Sequence, residues 1–341
     1  MLYIILTTSL CNLHCRYCGG SLHGMPSDIS YDLRDLKKFI SKDPNAIVAF
    51  YGGEPLLRSH VVKRFLDLLP ANHFVINTNG YFIERIVDDL SKFDTILLSI
   101  DGRETVTDGY RGKGCYQQVM HAVDIIKDTS FQGELIARMA VSSDTDIDKD
   151  VRHLLRFFPL VHWQLDVVWS ALWEVEEFKK WSEKSYKPGL KKLIKTWIDA
   201  INQHSIIGIV PFRGIMTRIL FETTGLPCQA GNHAVAITTD GRILACPIAP
   251  DYHWNDLGCL STGFHHVKVQ DPCPSCQLYQ VCGGRCLFAN RERLWGMSGF
   301  HAICDVTEFL IQELRKYSDV CEPLKEKIFY PAFNNTTEII P

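Results

Sequence analysis

Cysteine clusters dominate the chemistry this sequence could perform. Cys11, Cys15 and Cys18 fall within "CNLHCRYC" at a C-x3-C-x2-C spacing. Downstream, Cys228 is followed by Gly241 and Cys246, then by Cys273-x2-Cys276-x5-Cys282-x3-Cys286, then by Cys304. Thiolates this closely spaced bind soft metals, as iron–sulfur clusters or as zinc. Three thiolates on a four-iron cube leave one iron open, and an open metal position is where chemistry happens. The alternatives for the first cluster are a structural zinc ion with His14 as fourth ligand, or a buried trio of thiols. For the downstream field the alternative is a pair of zinc ribbons, although seven cysteines fill two four-ligand sites only with a histidine.

Such ligand loops need strands and helices to hold them. Strand-like apolar runs occur at "LYIILTT" (2–8), "AIVAFY" (46–51), "HFVINT" (73–78), "TILLSI" (95–100), "ELIARMAV" (134–141) and "VHWQLDVV" (161–168). Near-continuous apolar runs suit parallel strands buried on both faces. Between them "YDLRDLKKFISK", "LLRSHVVKRFLDLL", "FIERIVDDLSKF", "CYQQVMHAVDIIKD" and "TDIDKDVRHLLRFF" carry helical spacing. Alternation of this kind predicts a parallel sheet with right-handed crossovers. Six repeats are too few for a closed eight-stranded barrel. The expected fold class is therefore α/β, a partial (β/α)6 TIM-like barrel. The first cysteine cluster follows strand one, at the strand end where active sites of such folds form.

After residue 168 the pattern breaks. "WSALWEVEEFKKW" (169–181) is a tryptophan-rich insertion, and "GLKKLIKTWIDAINQH" (189–204) reads as the sixth helix. Trp169, Trp173 and Trp181 are either an aromatic peptide-binding lip or core packing. "RGIMTRILFETTG" (213–225) reads as a bridging helix that ends at Gly225. From Pro227 to Cys304 the chain turns rich in Cys, Gly and Pro, long periodic elements vanish, and metal staples are expected in place of a large core. "DVTEFLIQELRKYS" (305–318) is the last helix candidate, and "YPAFNNTTEIIP" reads as an extended tail. The expected domains are a barrel at 1–205, a bridge at 206–226, a small loop-rich cysteine domain at 227–306, and a C-terminal helix and tail at 307–341.

Bulk composition narrows the function classes. The chain has 341 residues, 46% hydrophobic and 22% charged, so it can bury a large core. A net charge of −3 gives no basic footprint for nucleic acid. The opening apolar run lacks a charged flank and is too short to span a bilayer, so neither export nor membrane insertion is expected. The expected location is cytoplasmic, where thiols stay reduced. Thirteen cysteines, an odd number, exclude complete internal pairing.

"CNLHCRYC" resembles the signature of the radical S-adenosylmethionine (SAM) enzymes. That resemblance implies that Cys11, Cys15 and Cys18 hold a 4Fe–4S cluster whose free iron chelates SAM. Reductive cleavage of SAM would then give a 5′-deoxyadenosyl radical that abstracts hydrogen from substrate. "YGGEP" (51–55) is similar to the superfamily's GGEP motif, which implies cofactor contacts from Gly52, Gly53, Glu54 and Pro55. "NTNG" (77–80) adds Asn79. "SIDGRETVTDGYRGKG" resembles a stretch in which a serine and an arginine hold the SAM carboxylate, here Ser99 and Arg111. The planar fork of arginine suits that task. Thr107 stands where the pattern has histidine.

The downstream field resembles the SPASM extension, which carries two auxiliary 4Fe–4S clusters. By that resemblance Cys228, Cys246 and Cys286 hold one cluster, and Cys273, Cys276, Cys282 and Cys304 hold the other. Ala234 occupies the position of an extra cysteine found in some members, so the first auxiliary cluster has three clear thiolates. Cys259, His233, another side chain, solvent or substrate could complete it.

Three clusters suit an oxidoreductase that moves an electron after hydrogen abstraction. The expected substrate is a ribosomally made peptide or a protein side chain, and the expected product is oxidised or crosslinked. The sulfatase-maturing branch carries an aspartate after its second SPASM cysteine, whereas here Pro247 follows Cys246. Because the sequence opens on strand one, leader recognition, if used, is expected to fall to a separate partner protein or to the barrel surface. An external donor of the flavodoxin or ferredoxin kind is expected, with no nucleic acid and no membrane. Alternatives are a radical SAM enzyme acting on a small cofactor such as a tetrapyrrole, a cobalamin-dependent methyltransferase, and a non-enzymatic iron–sulfur protein. Asp166, Asp240 and Asp251 are candidate bases.

Overall fold

The computed structural model describes residues 1–18, 24–168, 172–293, 295–330 and 340–341. Trp169 and most of the expected extended tail lie outside the described residues. The chain divides into two compact units. The first holds residues 1–100, 111–135 and 229–268, and the second holds 101–110, 136–228 and 269–341.

Strands β1 (Leu2–Leu6), β2 (Ile47–Tyr51), β3 (His73–Thr78) and β4 (Thr95–Ser99) form the parallel part of the first unit. Strands β5 (Glu134–Val141) and β6 (Leu160–Leu165) pair in parallel and belong mostly to the second. All six agree with the apolar runs of the sequence to within a few residues. Four more strands follow in the first unit: β7 (Ala234–Ile237), β8 (Arg242–Leu244), β9 (Asp256–Cys259) and β10 (Gly263–Phe264). Strand order there is β10-β9-β8-β7-β1-β2-β3-β4. β1 is central, with Ile4 opposite Ala49 on one side and Ala236 on the other. All four are shorter than the strands that precede Pro227. Two to four residues are too few to leave a period that sequence alone could show.

Local chemistry explains the helix starts. Helix α1 (Leu33–Ile40) is capped by Asp32, whose carboxylate accepts from the Arg34 N–H at 2.8 Å. Helix α2 (Ser59–Leu68) follows a short 3-10 turn, Pro55–Arg58, that Glu54 caps. The segment expected as the third helix is instead 3-10, Ile83–Lys92, with a non-helical residue at Ile86. Helix α3 (Glu104–Arg111), absent from the sequence reading, precedes α4 (Cys115–Lys127). In the second unit come α5 (Ile147–Leu154), α6 (Val175–Trp181), α7 (Lys187–Ile201) and α8 (Val210–Leu220). Then follow α9 (Tyr279–Cys282), α10 (Leu287–Glu292) and α11 (Gly296–Arg315). α11 begins well before the expected residue 305, so Cys304 sits inside it. Gly296 and Gly299 disguise that start by their poor helix propensity. Gly299 is needed because a Cβ there would lie 2.1 Å from Trp295 Cβ.

Each unit has its own core. In the first, Phe50 stacks against Phe65 and Phe74 at centroid distances of 6.2 and 6.0 Å. In the second, Trp163 and Trp197 both meet Phe212 edge-on, and Trp163 Nε1 donates to the Tyr186 hydroxyl at 2.8 Å. Trp173 is buried and meets Phe178 edge-on, and Trp181 stacks on Tyr186 at 5.0 Å. These two tryptophans are core packing.

Asp150 is fully buried in the second unit. It accepts from Arg103 N at 3.0 Å, Arg103 Nε at 2.7 Å and Asp146 N at 2.9 Å, and so fixes the turn that leads into α3. Replacing it with alanine strands half-buried N–H donors and half of an ion pair. Asp150→Ala is expected to lose about 3 kcal/mol of stability, measured by urea unfolding; a loss within experimental error would show that the turn holds itself.

Candidate active site and the auxiliary cysteines

The three-cysteine loop leaves the end of β1. Cys18 N donates to Cys15 O at 2.9 Å, and Leu13 N donates to Cys11 Sγ at 3.4 Å. Cys11 and Cys18 are exposed and Cys15 is half-buried. Burial pushes the Cys11 thiol up, and the charges of Glu54 and Cys18 add to the effect.

The end of β2 packs directly on this loop. Gly53 N donates to Thr8 O at 3.0 Å and Glu54 N to Leu10 O at 2.8 Å. A Cβ at Gly52 would lie 2.4 Å from Thr8 O, and one at Gly53 would lie 2.2 Å from Leu10 O and 2.9 Å from Cys11 N. Gly52 also takes a φ of +143°, which favours glycine. The close approach these glycines permit is to the chain's own cysteine loop.

Glu54 then ties β2 to β3. Its buried carboxylate accepts from Thr78 Oγ1 at 2.6 Å, Asn79 N at 2.8 Å and Leu56 N at 3.0 Å. Burial pushes it up to about 7 against the pull of those three donors. Asn79 Nδ2 reaches on to Asn12 Oδ1 at 2.8 Å, inside the cysteine loop. The ends of β1, β2 and β3 are thereby joined.

Ser99 closes β4 and is half-buried. Arg111 closes α3, and its guanidinium carbon lies 5.6 Å from the centre of the Tyr17 ring, between Cys15 and Cys18. Thr107, where the family pattern has histidine, is buried. Its hydroxyl donates to Gly102 O at 3.1 Å and accepts from Asp101 N at 3.2 Å, closing the "SIDG" turn.

Four downstream thiols, all in the second unit, line one cavity. They are Cys273, Cys276, Cys282 and Cys304, joined there by Arg285, Phe288 and Trp295. Burial, with the charges of Cys282 and Cys273, raises Cys304 to about 12. Asn290 Nδ2 and Leu278 N donate to the sulfurs of Cys273 and Cys276, each at 3.4 Å. Among the described residues no three His, Cys, Asp or Glu side chains converge on a single metal position. A sulfide-bridged cube puts each thiolate on its own iron, whereas one zinc ion gathers its ligands at one point. A donor set of four soft thiols with N–H donors to sulfur, around a cavity, fits a cluster. Cys228 and Cys286 are described in the second unit, and Cys246 in the first.

Residues 5–158 match the family model of the radical SAM superfamily. That stretch, which holds the three-cysteine loop, is similar to a radical SAM domain. Mycofactocin maturase MftC of Mycolicibacterium smegmatis is 23% identical over 319 residues, covering 83% of this chain and 76% of the relative. The uncharacterized protein MJ0907 of Methanocaldococcus jannaschii is 28% identical over 110 residues, a match that spans 38% of that protein. Among solved structures, anSMEcpe with bound AdoMet matches with a TM-score of 0.70 at 17% identity, covering 96% of this chain and 97% of that one. Streptococcus suis SuiB bound to precursor peptide SuiA matches with a TM-score of 0.54 at 14% identity, covering 84% and 71%. The fold is thus the α/β, TIM-like fold of radical SAM enzymes with a C-terminal extension. No helix of the described residues is long and apolar enough to cross a membrane.

Sequence reading of the radical SAM motifs missed the polar residues that brace them. Asn79 was singled out, but its partner Asn12 was not. Asn255, fully buried, accepts from Cys246 N at 2.8 Å and donates to Cys246 O at 2.8 Å and Ala249 O at 2.6 Å. Asn290, also fully buried, clasps Gln270 N and O at 2.7 and 2.8 Å beside Cys273. Such residues carry no spacing signal, because their partners are main-chain atoms that only folding brings near. Two of the three candidate bases are engaged too. Asp166 accepts from Trp173 Nε1, and Asp240 accepts from Thr238 Oγ1 and, at 3.0 Å, from Arg242 Nε. Asp251 is exposed.

Gly53→Ala is expected to displace Leu10 and Cys11 and to abolish iron binding by the first loop while leaving the far-UV circular dichroism intact; unchanged iron in a variant retaining only that loop's cysteines would refute the bracket. Cys259 gives a second expectation. Its sulfur lies 3.1 Å from Ser261 Oγ and 3.2 Å from Thr262 Oγ1, contacts that pull the thiol down to about 7. Its thiolate is therefore lost as pH falls through about 7. Alkylation by iodoacetamide in the iron-loaded protein should rise with a midpoint near that pH, and protection at all pH values would instead mark Cys259 as a cluster ligand.

Proposed function

We propose that this protein is a radical SAM enzyme that abstracts hydrogen from a side chain of a ribosomally made peptide or protein and leaves it oxidised or crosslinked. The observation that carries the reading is the bracket of three strand ends around Cys11, Cys15 and Cys18, with the Arg111 guanidinium against the same loop. In this reading those thiols hold a 4Fe–4S cluster, and bound SAM supplies a 5′-deoxyadenosyl radical. Arg111 pairs with the carboxylate of SAM and Ser99 donates to it. Gly52, Gly53 and Pro55 shape the main chain beside it, and Glu54 and Asn79 keep that main chain in place.

Two auxiliary 4Fe–4S clusters complete the set, one of them on Cys273, Cys276, Cys282 and Cys304. The peptide substrate is supported by the relatives. One is named a maturase, and solved structures carry a Cp18Cys peptide on anSMEcpe and a precursor peptide on SuiB. Pro247 after Cys246 speaks for a modification other than that of the sulfatase-maturing branch. An external flavodoxin or ferredoxin-like donor, a cytoplasmic setting and, where a leader is read, a separate recognition protein belong to the same reading.

Anaerobically reconstituted protein should hold about twelve irons per chain, with little zinc, and should release 5′-deoxyadenosine from SAM under reduction. Zinc alone, or iron without SAM cleavage, would sink the proposal. Arg111→Lys should raise the KM for SAM about tenfold because lysine cannot make the bidentate pair. An unchanged KM would remove Arg111 from the SAM site.

A further inference from the structure

Two arginines are buried around the auxiliary cysteines of the second unit, and they are satisfied differently. Arg218 donates through Nε to Val281 O at 2.5 Å and through Nη2 to Gly225 O at 2.5 Å and Gln280 O at 3.4 Å. It is a structural clamp on main-chain carbonyls. Arg285 is 5% exposed and donates only through Nε, to Pro341 O at 2.6 Å. Its Nη1 and Nη2 are buried with no partner among the described residues.

Arginine cannot shed its charge in a protein. Burying it unpaired is costly, so such a group calls for a nearby anion. Arg285 lines the cavity formed by Cys273, Cys276, Cys282 and Cys304. Glu308, the carboxylate on that cavity, is exposed and makes no hydrogen bond to Arg285. Arg285 also holds a left-handed φ of +53° within the tight "CGGRC" turn, a conformation that costs energy outside glycine and persists where its surroundings enforce it.

We propose that Arg285 is the counter-charge of the cluster on these four thiolates and raises that cluster's reduction potential. The inference rests on the auxiliary-cluster reading above. A cube with four thiolate ligands is net negative, and each electron it accepts adds one more negative charge. A fixed guanidinium favours the more negative state and so eases reduction. In the proposed reaction the substrate radical would lose one electron, which the oxidised cluster would accept, and the proton lost as the new bond closes would pass to water. No bond to Arg285 forms or breaks. The same charge pulls down the thiols of Cys304 and Cys282 against their burial.

The test is a redox titration followed by electron paramagnetic resonance on the full, iron-loaded chain, with the relevant signal assigned by its loss in Cys304→Ala. At the wild-type midpoint, Arg285→Met should lower the reduced-to-oxidised ratio about tenfold, a shift of about 59 mV for one electron. Arg285→Lys should stay near wild type, and the cluster of the first loop should not move in either. An unchanged midpoint in Arg285→Met at full iron content overturns the proposal, as does an equal fall in Arg285→Lys. Should Arg285→Met fail to load iron, its apoprotein decides: with the uncompensated charge gone it should unfold at higher urea than wild-type apoprotein, and an equal or lower midpoint overturns the proposal. Wild-type protein lacking any signal that depends on Cys304 would instead sink the auxiliary-cluster reading, a failure separate from that of Arg285.

Discussion

The contact of Gly52 and Gly53 with the main chain of Thr8 to Cys11 is the constraint on which the candidate site depends. Two stretches of backbone meet with no side chain between them, and hydrogen bonds from Gly53 and Glu54 fix their register. The loop that carries three thiols is otherwise exposed and would have little to hold it. Packing it against a strand end turns a flexible ligand loop into a preorganised one, which is what tight placement of a reactive centre demands.

Buried polar side chains extend that logic through both units. Glu54 and Asn79 link strand ends in the first, where Asn255 also holds the Cys246 loop; Asn290 holds the Cys273 loop and Thr107 the "SIDG" turn in the second. Each satisfies main-chain groups that a loop cannot pair by itself. These loops must bend sharply to present thiolates or an arginine, and the bend costs them regular hydrogen bonding. A short side chain that both donates and accepts supplies the missing partners. This is why asparagine recurs beside the cysteines.

The glycines and the hairpins do complementary work. Gly241, separated from Cys228 by twelve residues, takes a φ of +84° at the turn between β7 and β8. That turn lets β8 run back antiparallel to β7, which itself pairs in parallel with β1. The glycine of the C-x12-G-x4-C spacing is thus explained by backbone geometry alone.

Much of this was legible in the sequence. Thiol spacing pointed to soft-metal ligation, and the alternation of apolar strands with helical segments determined the class of fold, because both signals are local. Glycines in "YGGEP" marked a close approach. What they approach, and that the Glu54 carboxylate braces β3, only the tertiary structure decided. The same holds for the start of α11, the core packing of Trp173 and Trp181, and the terminal nitrogens of Arg285, which find no partner among the described residues. Each depends on contacts between residues far apart in the chain, and burial of a polar group leaves no mark on its own sequence neighbourhood.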